Sequence, residues 1–92
     1  YGGDEFVIIY FNKTNNEISD IMHRLMSEIA LIALPDSNPD GKSFITISQG
    51  CLNRIPNSSN RIWDFLACAD RTLYQVKKNG KDNYTLKDTF KD

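Results

Sequence analysis

The pattern of apolar and polar positions along the chain predicts three strands. Residues 4–11 include six apolar residues in a row without alternation, which is typical of a strand buried on both faces at the centre of a sheet. Residues 43–49 alternate and contain β-branched side chains, so they predict a second strand, with Gly50 marking its end or a bulge. Residues 82–86 predict a short final strand, and the tail at 89–92 is expected to fray.

A first helix is predicted from about residue 17 to residue 34, because apolar side chains recur there every three to four positions. Asn15 or Asn16 is expected to cap its N-terminus, and Pro35 is expected to end it. The apolar stripe that should face the core consists of Ile18, Ile21, Met22, Leu25, Ile29, Ile32 and Ala33.

A second helix is predicted after a polar loop, with Ser59 or Asn60 as its N-terminal cap. Lys77 and Lys78 lie in its last turn, where the helix dipole stabilises cations, and Gly80 is the expected left-handed cap. Its apolar face is formed by Ile62, Leu66, Ala69, Leu73 and Val76, flanked by Phe65. Strands and helices in this order predict an α+β fold, with helices packed on a sheet.

The composition is that of one small globular domain. The net charge of −1 gives no basic surface that would indicate binding to DNA or RNA, and no apolar stretch reaches the roughly 18 residues of a membrane span. Cys51 and Cys68 have no further Cys or His at metal-ligand spacing, so they are interpreted as reduced thiols of a cytoplasmic domain. His23 is likewise interpreted as a solvated helix residue.

The candidate chemistry is concentrated at the start of the chain. Gly2 and Gly3 suit a tight hairpin turn and allow a ligand to approach closely, and Asp4 and Glu5 follow where the turn becomes the predicted strand. Two acids held beside a glycine opening can hold a divalent cation against phosphates. On turn chemistry alone, an ordinary solvated hairpin explains the same residues. Because a hairpin needs a strand on both sides, we expect the chain to be part of a longer domain.

Three strings of the sequence together carry a resemblance. Residues 1–6 read YGGDEF, residues 46–50 read TISQG, and residues 69–82 read ADRTLYQVKKNGKD. In this order they closely resemble the GGDEF family of diguanylate cyclases, over nearly the whole chain. The resemblance implies that residues 1–92 are the C-terminal part of a single GGDEF domain. It also implies a palm-like nucleotidyl-cyclase sheet flanked by helices, of which the N-terminal half precedes residue 1.

The activity that the resemblance implies is the condensation of two GTP molecules into cyclic di-GMP with release of two pyrophosphates. Two subunits of a homodimer each hold one GTP, and each 3′-hydroxyl attacks the α-phosphate on the other subunit with help from Mg²⁺ or Mn²⁺. By position in the signature, Asp4 would be the metal ligand, and Asp4 and Glu5 would form the catalytic part of the site. An upstream sensor or receiver domain and a cytoplasmic location, even in a membrane-anchored protein, are also expected.

Substrate binding is carried over in the same way. Gly2 and Gly3 would let the phosphates and ribose lie against the hairpin, while Lys77 and Lys81 would contact the phosphates. Without the resemblance, lysines at a helix end are explained by the helix dipole and by solvation. Asp70, next to the apolar stripe, is predicted to be buried, hydrogen-bonded and structural.

The match departs from the family at a few positions. Lys81 stands where Arg is usual and loses its bidentate contact with phosphate, and Asp82 replaces Asn and adds a negative charge. Gln49 and Val76 also differ from the usual residues. A further metal-binding Asp, the guanine-binding residues and a feedback site would lie upstream. The alternative function is a degenerate module that binds GTP or cyclic di-GMP, or mediates dimerisation, without catalysis.

Overall fold

The computed structural model describes residues 3–32, 34–35 and 44–91. Four elements follow one another: α1 (Asn15–Ile32), β1 (Gln49–Leu52), α2 (Ile62–Lys78) and β2 (Tyr84–Lys87). The two strands pair in parallel, with Gln49 opposite Tyr84 and Leu52 opposite Lys87. The chain is therefore a small α+β structure, in which α2 connects two parallel strands, as such a pairing requires.

Helix α1 begins with a reciprocal pair of hydrogen bonds. The backbone N–H of Glu17 donates to Thr14 Oγ1 at 3.1 Å, and the backbone N–H of Thr14 donates to Glu17 Oε1 at 3.0 Å. This is a capping box, so the prediction of Asn15 or Asn16 as the cap is wrong by one or two residues. The helix ends at Ile32, slightly before the predicted residue 34.

A core-facing stripe attaches α1 to the sheet. Ile18 and Met22, one turn apart, are its buried residues. Two polar contacts reinforce the packing: Gln49 Nε2 donates to the carbonyl oxygen of Met22 at 2.8 Å, and Ser19 Oγ lies 3.3 Å from Tyr84 Oη. Towards the far end of the predicted stripe Ile29 is half-buried and Ile32 is 58% exposed, and Ala33 lies outside the described residues.

The capping box gives a stability prediction. We expect Thr14→Ala to lower the free energy of unfolding by about 1 kcal/mol, because it removes the acceptor for a free helix N–H. The hydrogen bonds from Thr14 also lower the pKa of Glu17 below its ordinary value of 4.5. The Glu17 contribution is therefore complete above pH 4.5 and is lost as the pH falls through the lowered pKa.

Urea unfolding followed by circular dichroism at pH 7 and at pH 3 measures both effects. Glu17→Gln is the matched control, since the amide oxygen keeps the hydrogen-bond acceptor but does not titrate. Its loss of stability between the two pH values should be smaller than that of the unsubstituted chain. Equal losses in the two proteins would contradict the assignment of this acid effect to Glu17.

The buried side of helix α2 overlaps the predicted apolar face, of which Val76 is buried and Leu66, Ala69 and Leu73 are half-buried. Its buried residues are Cys68, Thr72 and Val76, spaced four apart, and the buried Thr72 hydroxyl donates to the carbonyl oxygen of Cys68 at 2.7 Å. Ile62, which was predicted to lie on the apolar face, is 53% exposed. The periodicity and most of the face were therefore predicted correctly: Ala69 and Leu73 lie with their backbone against Gly50 of β1, and Cys68 and Thr72 are additional buried positions.

The N-terminus of α2 also differs from the prediction. Asp64 Oδ2 accepts from the backbone N–H of Arg61 at 2.8 Å, so the helix starts at Ile62 with Arg61 in the cap position. Asn60 and Ser59, the predicted caps, instead belong to the preceding turn. There, Asn60 Oδ1 accepts from the backbone N–H of Asn57 at 2.8 Å.

The predicted central strand at residues 4–11 is wrong. Residues 5–11 belong to no helix or strand, and their apolar side chains are exposed, from 40% at Tyr10 to 90% at Phe6. A strand needs a neighbour that pairs with its backbone, and no strand in the described part of the chain lies beside this segment. The apolar run alone therefore produces neither pairing nor burial.

The second strand begins later than predicted. Of residues 44–48, only Phe44 makes a ladder contact, an isolated antiparallel bridge to Pro35, and Ser43 lies outside the described residues. Pairing starts at Gln49 because its partner β2 is only four residues long. Gly50, predicted as an end or a bulge, lies inside β1 and lets the strand approach α2 closely.

Residues 89–91 of the predicted tail are anchored and not frayed, and Asp92 lies outside the described residues. The Phe90 ring packs edge-to-face on Phe65 with centroids 5.3 Å apart, and the Arg54 guanidinium lies 4.9 Å from the centre of the Phe90 ring. Arg71 Nη2 also donates to the carbonyl oxygen of Phe90 at 3.2 Å. The predicted short strand at 82–86 is present as β2, shifted by one or two residues.

Two further properties concern the whole described part of the chain. Cys51 and Cys68 are free thiols, and burial raises the pKa of the Cys51 thiol. Neither of the helices described here has the length and apolar character needed to cross a membrane.

Candidate functional site

The centre of the candidate site is a contact between two predicted site residues that lie 72 positions apart in sequence. Lys77 Nζ donates to Glu5 Oε2 at 2.9 Å. Glu5 comes from the segment before α1, and Lys77 from the last turn of α2. The structure therefore joins the opening acidic string to the lysine-rich end of the second helix, which the sequence places at opposite ends of the chain.

The charges around Lys77 are mainly acidic. Its hydrogen bond to Glu5 raises the pKa of Lys77, and the carboxylates of Asp4 and Asp70 lie close enough to act in the same direction. Asp4 itself is exposed to solvent. Three carboxylates thus act on one ammonium at this edge of the molecule, which makes it a place where cations are favoured.

Asp70 differs from its prediction. It was predicted to be buried and structural, but it is exposed and faces the same side of α2 as Lys77. The two residues are seven positions apart, which is two helical turns and places them on one face. This spacing is the signal in the sequence that could have placed Asp70 near the site.

Beyond α2, the chain reverses through three consecutive residues with positive φ. Gly80 has φ 116°, Lys81 φ 63° and Asp82 φ 48°, and the positive φ of Gly80 agrees with its predicted cap role. The backbone N–H of Lys81 donates to the carbonyl oxygen of Val76 at 3.0 Å, and that of Asp82 donates to Ser48 Oγ at 3.2 Å. These backbone hydrogen bonds hold Lys81, one of the two predicted phosphate contacts, in an exposed position just past the end of α2.

The glycines of the opening string are only partly described. Gly3 is exposed, and a Cβ placed on it would meet no other atom within 4 Å, so a ligand could approach its backbone. Gly2, the other predicted substrate-binding glycine, lies outside the described residues, as does the start of the predicted hairpin turn.

A small cavity of about 100 Å³ lies between the opening segment and α2. Glu5 lines it from one side, Gly50 from the sheet, and Asp70 from the helix. A larger open cavity of about 520 Å³ lies elsewhere along α2, lined by residues such as Arg71, Tyr74 and Lys87. Of the residues discussed here, Asp70 lines both, whereas Glu5 lines only the small one.

Whether Asp4 and Glu5 suit a divalent cation depends on their donor atoms. Mg²⁺ is usually held by one or two carboxylates and by substrate phosphates, so the chemistry of two neighbouring carboxylates fits such a cation. They do not form a complete protein cage: no cluster of three or more potential metal ligands occurs among the described residues. The donor set suits a metal that arrives with, or is completed by, a phosphorylated substrate.

Comparison with known families shows to which family the chain belongs. A family model described as "Diguanylate cyclase, GGDEF domain" matches residues 1–83 of the 92 residues. The chain belongs to the GGDEF family. Comparison with curated proteins and with solved structures found no match.

The GGDEF match covers every predicted site residue, since the last of them is Lys81. The family is that of the diguanylate cyclases, so the chain is connected with cyclic di-GMP signalling. Of the predicted residues, Glu5 and Lys77 are in direct contact, and Asp4 lies close enough to act on Lys77. Lys81 lies four residues after Lys77 and beyond the end of α2, and Asp70 joins the group without having been predicted as part of it.

Proposed function

We propose that the chain is the C-terminal part of a GGDEF domain that condenses two GTP molecules into cyclic di-GMP and two pyrophosphates. The observation that carries the proposal is the 2.9 Å contact between Glu5 of the signature and Lys77 of the family-like segment at residues 69–82. Two strings that match the family separately are also neighbours in space, as parts of one site must be.

Each residue of the site has a task in this proposal. Asp4 and Glu5 supply carboxylate oxygens to the cation, with Asp4 as the metal ligand, and Lys77 and Lys81 supply positive charge to the phosphates. A bound Mg²⁺ or Mn²⁺ would supply charge neutralisation at the phosphates and a lower pKa for the attacking hydroxyl. Gly3 leaves the space beside its backbone open, where phosphates and ribose would lie, and the resemblance assigns Gly2 to the same task.

The partners follow from the reaction. Each half-reaction joins two nucleotides, so a second GGDEF subunit that presents its own GTP is required, and the acting form would be a homodimer. A sensor or receiver domain that controls this dimer and a cytoplasmic location belong to the same proposal. DNA and RNA are not proposed as partners, because the net charge is −1 and gives no basic surface.

The test is nucleotide turnover. We expect a domain that contains this chain together with the upstream residues implied by the resemblance to convert GTP and Mg²⁺ into cyclic di-GMP, separated by chromatography. The 92 residues alone should yield no product, because the implied second metal-binding Asp and the guanine-binding residues have no counterpart among the site residues found here. Cyclic di-GMP formed by the 92 residues alone would contradict the proposal that part of the active site lies in upstream residues.

A second candidate is a module that binds GTP or cyclic di-GMP, or mediates dimerisation, without catalysis. Two departures from the family favour it: Lys81 lacks the guanidinium fork, and Asp82 beside it brings a negative charge to the phosphate side. Equilibrium binding of GTP to the same domain, measured together with turnover, separates the two. Binding without product would favour the module over the enzyme.

A further inference from the structure

Glu5 and Lys77 are in contact, although the proposed function gives them different ligands. Glu5 is proposed to serve the cation and Lys77 the phosphates, yet Lys77 Nζ lies 2.9 Å from Glu5 Oε2. We propose that Lys77 exchanges between Glu5 and the phosphates of the nucleotide, so that phosphate binding releases Glu5 to the cation. This inference rests on the proposed function and adds to it an order of events within the same site.

The contact can exchange because it is accessible. The side chain of Lys77 is 38% exposed and that of Glu5 is 27% exposed, so water reaches both groups. Ion pairs open to solvent contribute little to stability. The ammonium sits on a flexible four-carbon stem and carries three donors that can turn to a new acceptor. Opening the contact therefore does not require any helix or strand to move.

Competition follows from the chemistry of the three groups. An ionised carboxylate only accepts hydrogen bonds, and an ammonium only donates them, so Lys77 and a divalent cation both use the oxygens of Glu5. The two cations also repel each other at short distance. Phosphates offer Lys77 more negative charge and several oxygens. When Lys77 turns to them, Glu5 loses its bound ammonium and becomes a better ligand.

The surrounding acids couple the binding of phosphate to the binding of the cation. Asp4 and Asp70 also act on Lys77 through their charges. A triphosphate that approached Lys77 alone would meet the three carboxylates around it, whereas phosphate and cation together compensate each other. By linkage, phosphates should raise the affinity for the cation by the same factor as the cation raises the affinity for phosphates.

The first arm of the test measures Mn²⁺ binding to the chain without nucleotide, by the electron paramagnetic resonance signal of free Mn²⁺. We expect Lys77→Met to bind Mn²⁺ about fivefold more tightly or better, because the competing ammonium is removed. Lys78→Met is the matched control, since Lys78 is exposed in the same helical turn and its loss changes the net charge equally. Equal changes in both variants would overturn the proposal, because they would show only a general effect of charge.

The second arm measures binding of inorganic triphosphate in the presence of EDTA, by isothermal titration calorimetry. Glu5→Gln should increase the affinity about fivefold or more, because it frees Lys77 and removes a negative charge. In the Lys77→Met background, Glu5→Gln removes only the negative charge, so the increase in triphosphate affinity should be clearly smaller. An equal gain in both backgrounds would overturn the exchange. Circular dichroism of each variant shows whether the chain remains folded.

These measurements fail differently from the proposed function. They use a metal alone and an inorganic phosphate, and need neither guanine recognition nor turnover. Expected results in both arms, with no cyclic di-GMP from the complete domain, would support the exchange and contradict the cyclase activity. If the complete domain formed cyclic di-GMP but Lys77→Met and Lys78→Met bound Mn²⁺ equally well, the results would support the cyclase activity and overturn the exchange.

Discussion

Gly50→Ala is expected to lower the free energy of unfolding by about 3 kcal/mol or more, because adding even one methyl group to a closely packed interior forces backbone shifts. A Cβ at Gly50 would lie 2.7 Å from the carbonyl oxygen of Ala69 and from Leu73 Cα, and closer still to the backbone nitrogen of Leu73. All three atoms belong to the backbone of α2 and cannot rotate away. The strand and the helix would have to separate.

Two other glycines give matched controls for Gly50→Ala. Gly3→Ala introduces the same methyl group where no atom lies within 4 Å, so the free energy of unfolding should change by less than about 0.5 kcal/mol. Gly80→Ala also meets open space but has φ 116°, so its cost should be backbone strain of about 1 kcal/mol. Urea unfolding followed by circular dichroism compares all three. If Gly50→Ala were as mild as Gly3→Ala, the close contact between β1 and α2 would be wrong.

The position of Gly50 also bears on the site. It lines the small cavity between Glu5 and Asp70, so a shift of β1 away from α2 would change the wall on which the opening segment rests. A variant that remained partly folded should therefore weaken both stability and the Glu5–Lys77 contact. The close approach of strand and helix is thus part of what places the acids beside the lysine.

The helices could be predicted from the sequence because their information is local. The apolar repeats of α1 and α2 and the lysines at the end of α2 depend on residues three or four apart, and both helices were found within a few residues of their ends. The caps were less accurate. Thr14 and Arg61 are chosen by hydrogen bonds to Glu17 and Asp64, and several polar neighbours compete for such roles.

The strands could not be predicted as well because pairing is not local. Residues 6–11 have the apolar character of a buried strand, yet without a pairing strand in the described chain they remain exposed. The extent of β1 is limited by the four residues of β2, about 35 positions later. Gly50 indicated a bulge when taken alone, because the helix backbone that requires a glycine there is distant in sequence.

The site was predicted as residues but not as contacts. The resemblance indicated Asp4, Glu5, Lys77 and Lys81, and the family match covers all four. It gave no indication that Lys77 binds Glu5, since that contact depends on how the end of α2 lies against the opening segment. Asp70 was assigned to the interior from its neighbour Ala69, although its seven-residue spacing from Lys77 places both on one helix face.

Asp4→Asn in a complete GGDEF domain that contains this chain should reduce the rate of cyclic di-GMP formation by about 100-fold or more. The amide keeps the size of the side chain but removes the negative charge that the proposal assigns to the cation, and groups that stabilise developing charge at a reacting centre have effects of this size. Because Asp4 is exposed, the free energy of unfolding should change by less than about 0.5 kcal/mol.

The control for Asp4→Asn is Asp20→Asn, which removes one carboxylate from an exposed position of α1. It changes the net charge equally and should leave the rate within about twofold, because Asp20 is not among the carboxylates whose charge acts on Lys77. Product is measured by chromatography after incubation with GTP and Mg²⁺. Raising the Mg²⁺ concentration should restore part of the Asp4→Asn rate if the lost group binds the cation. A rate that stays above half of the original would remove Asp4 from the metal site.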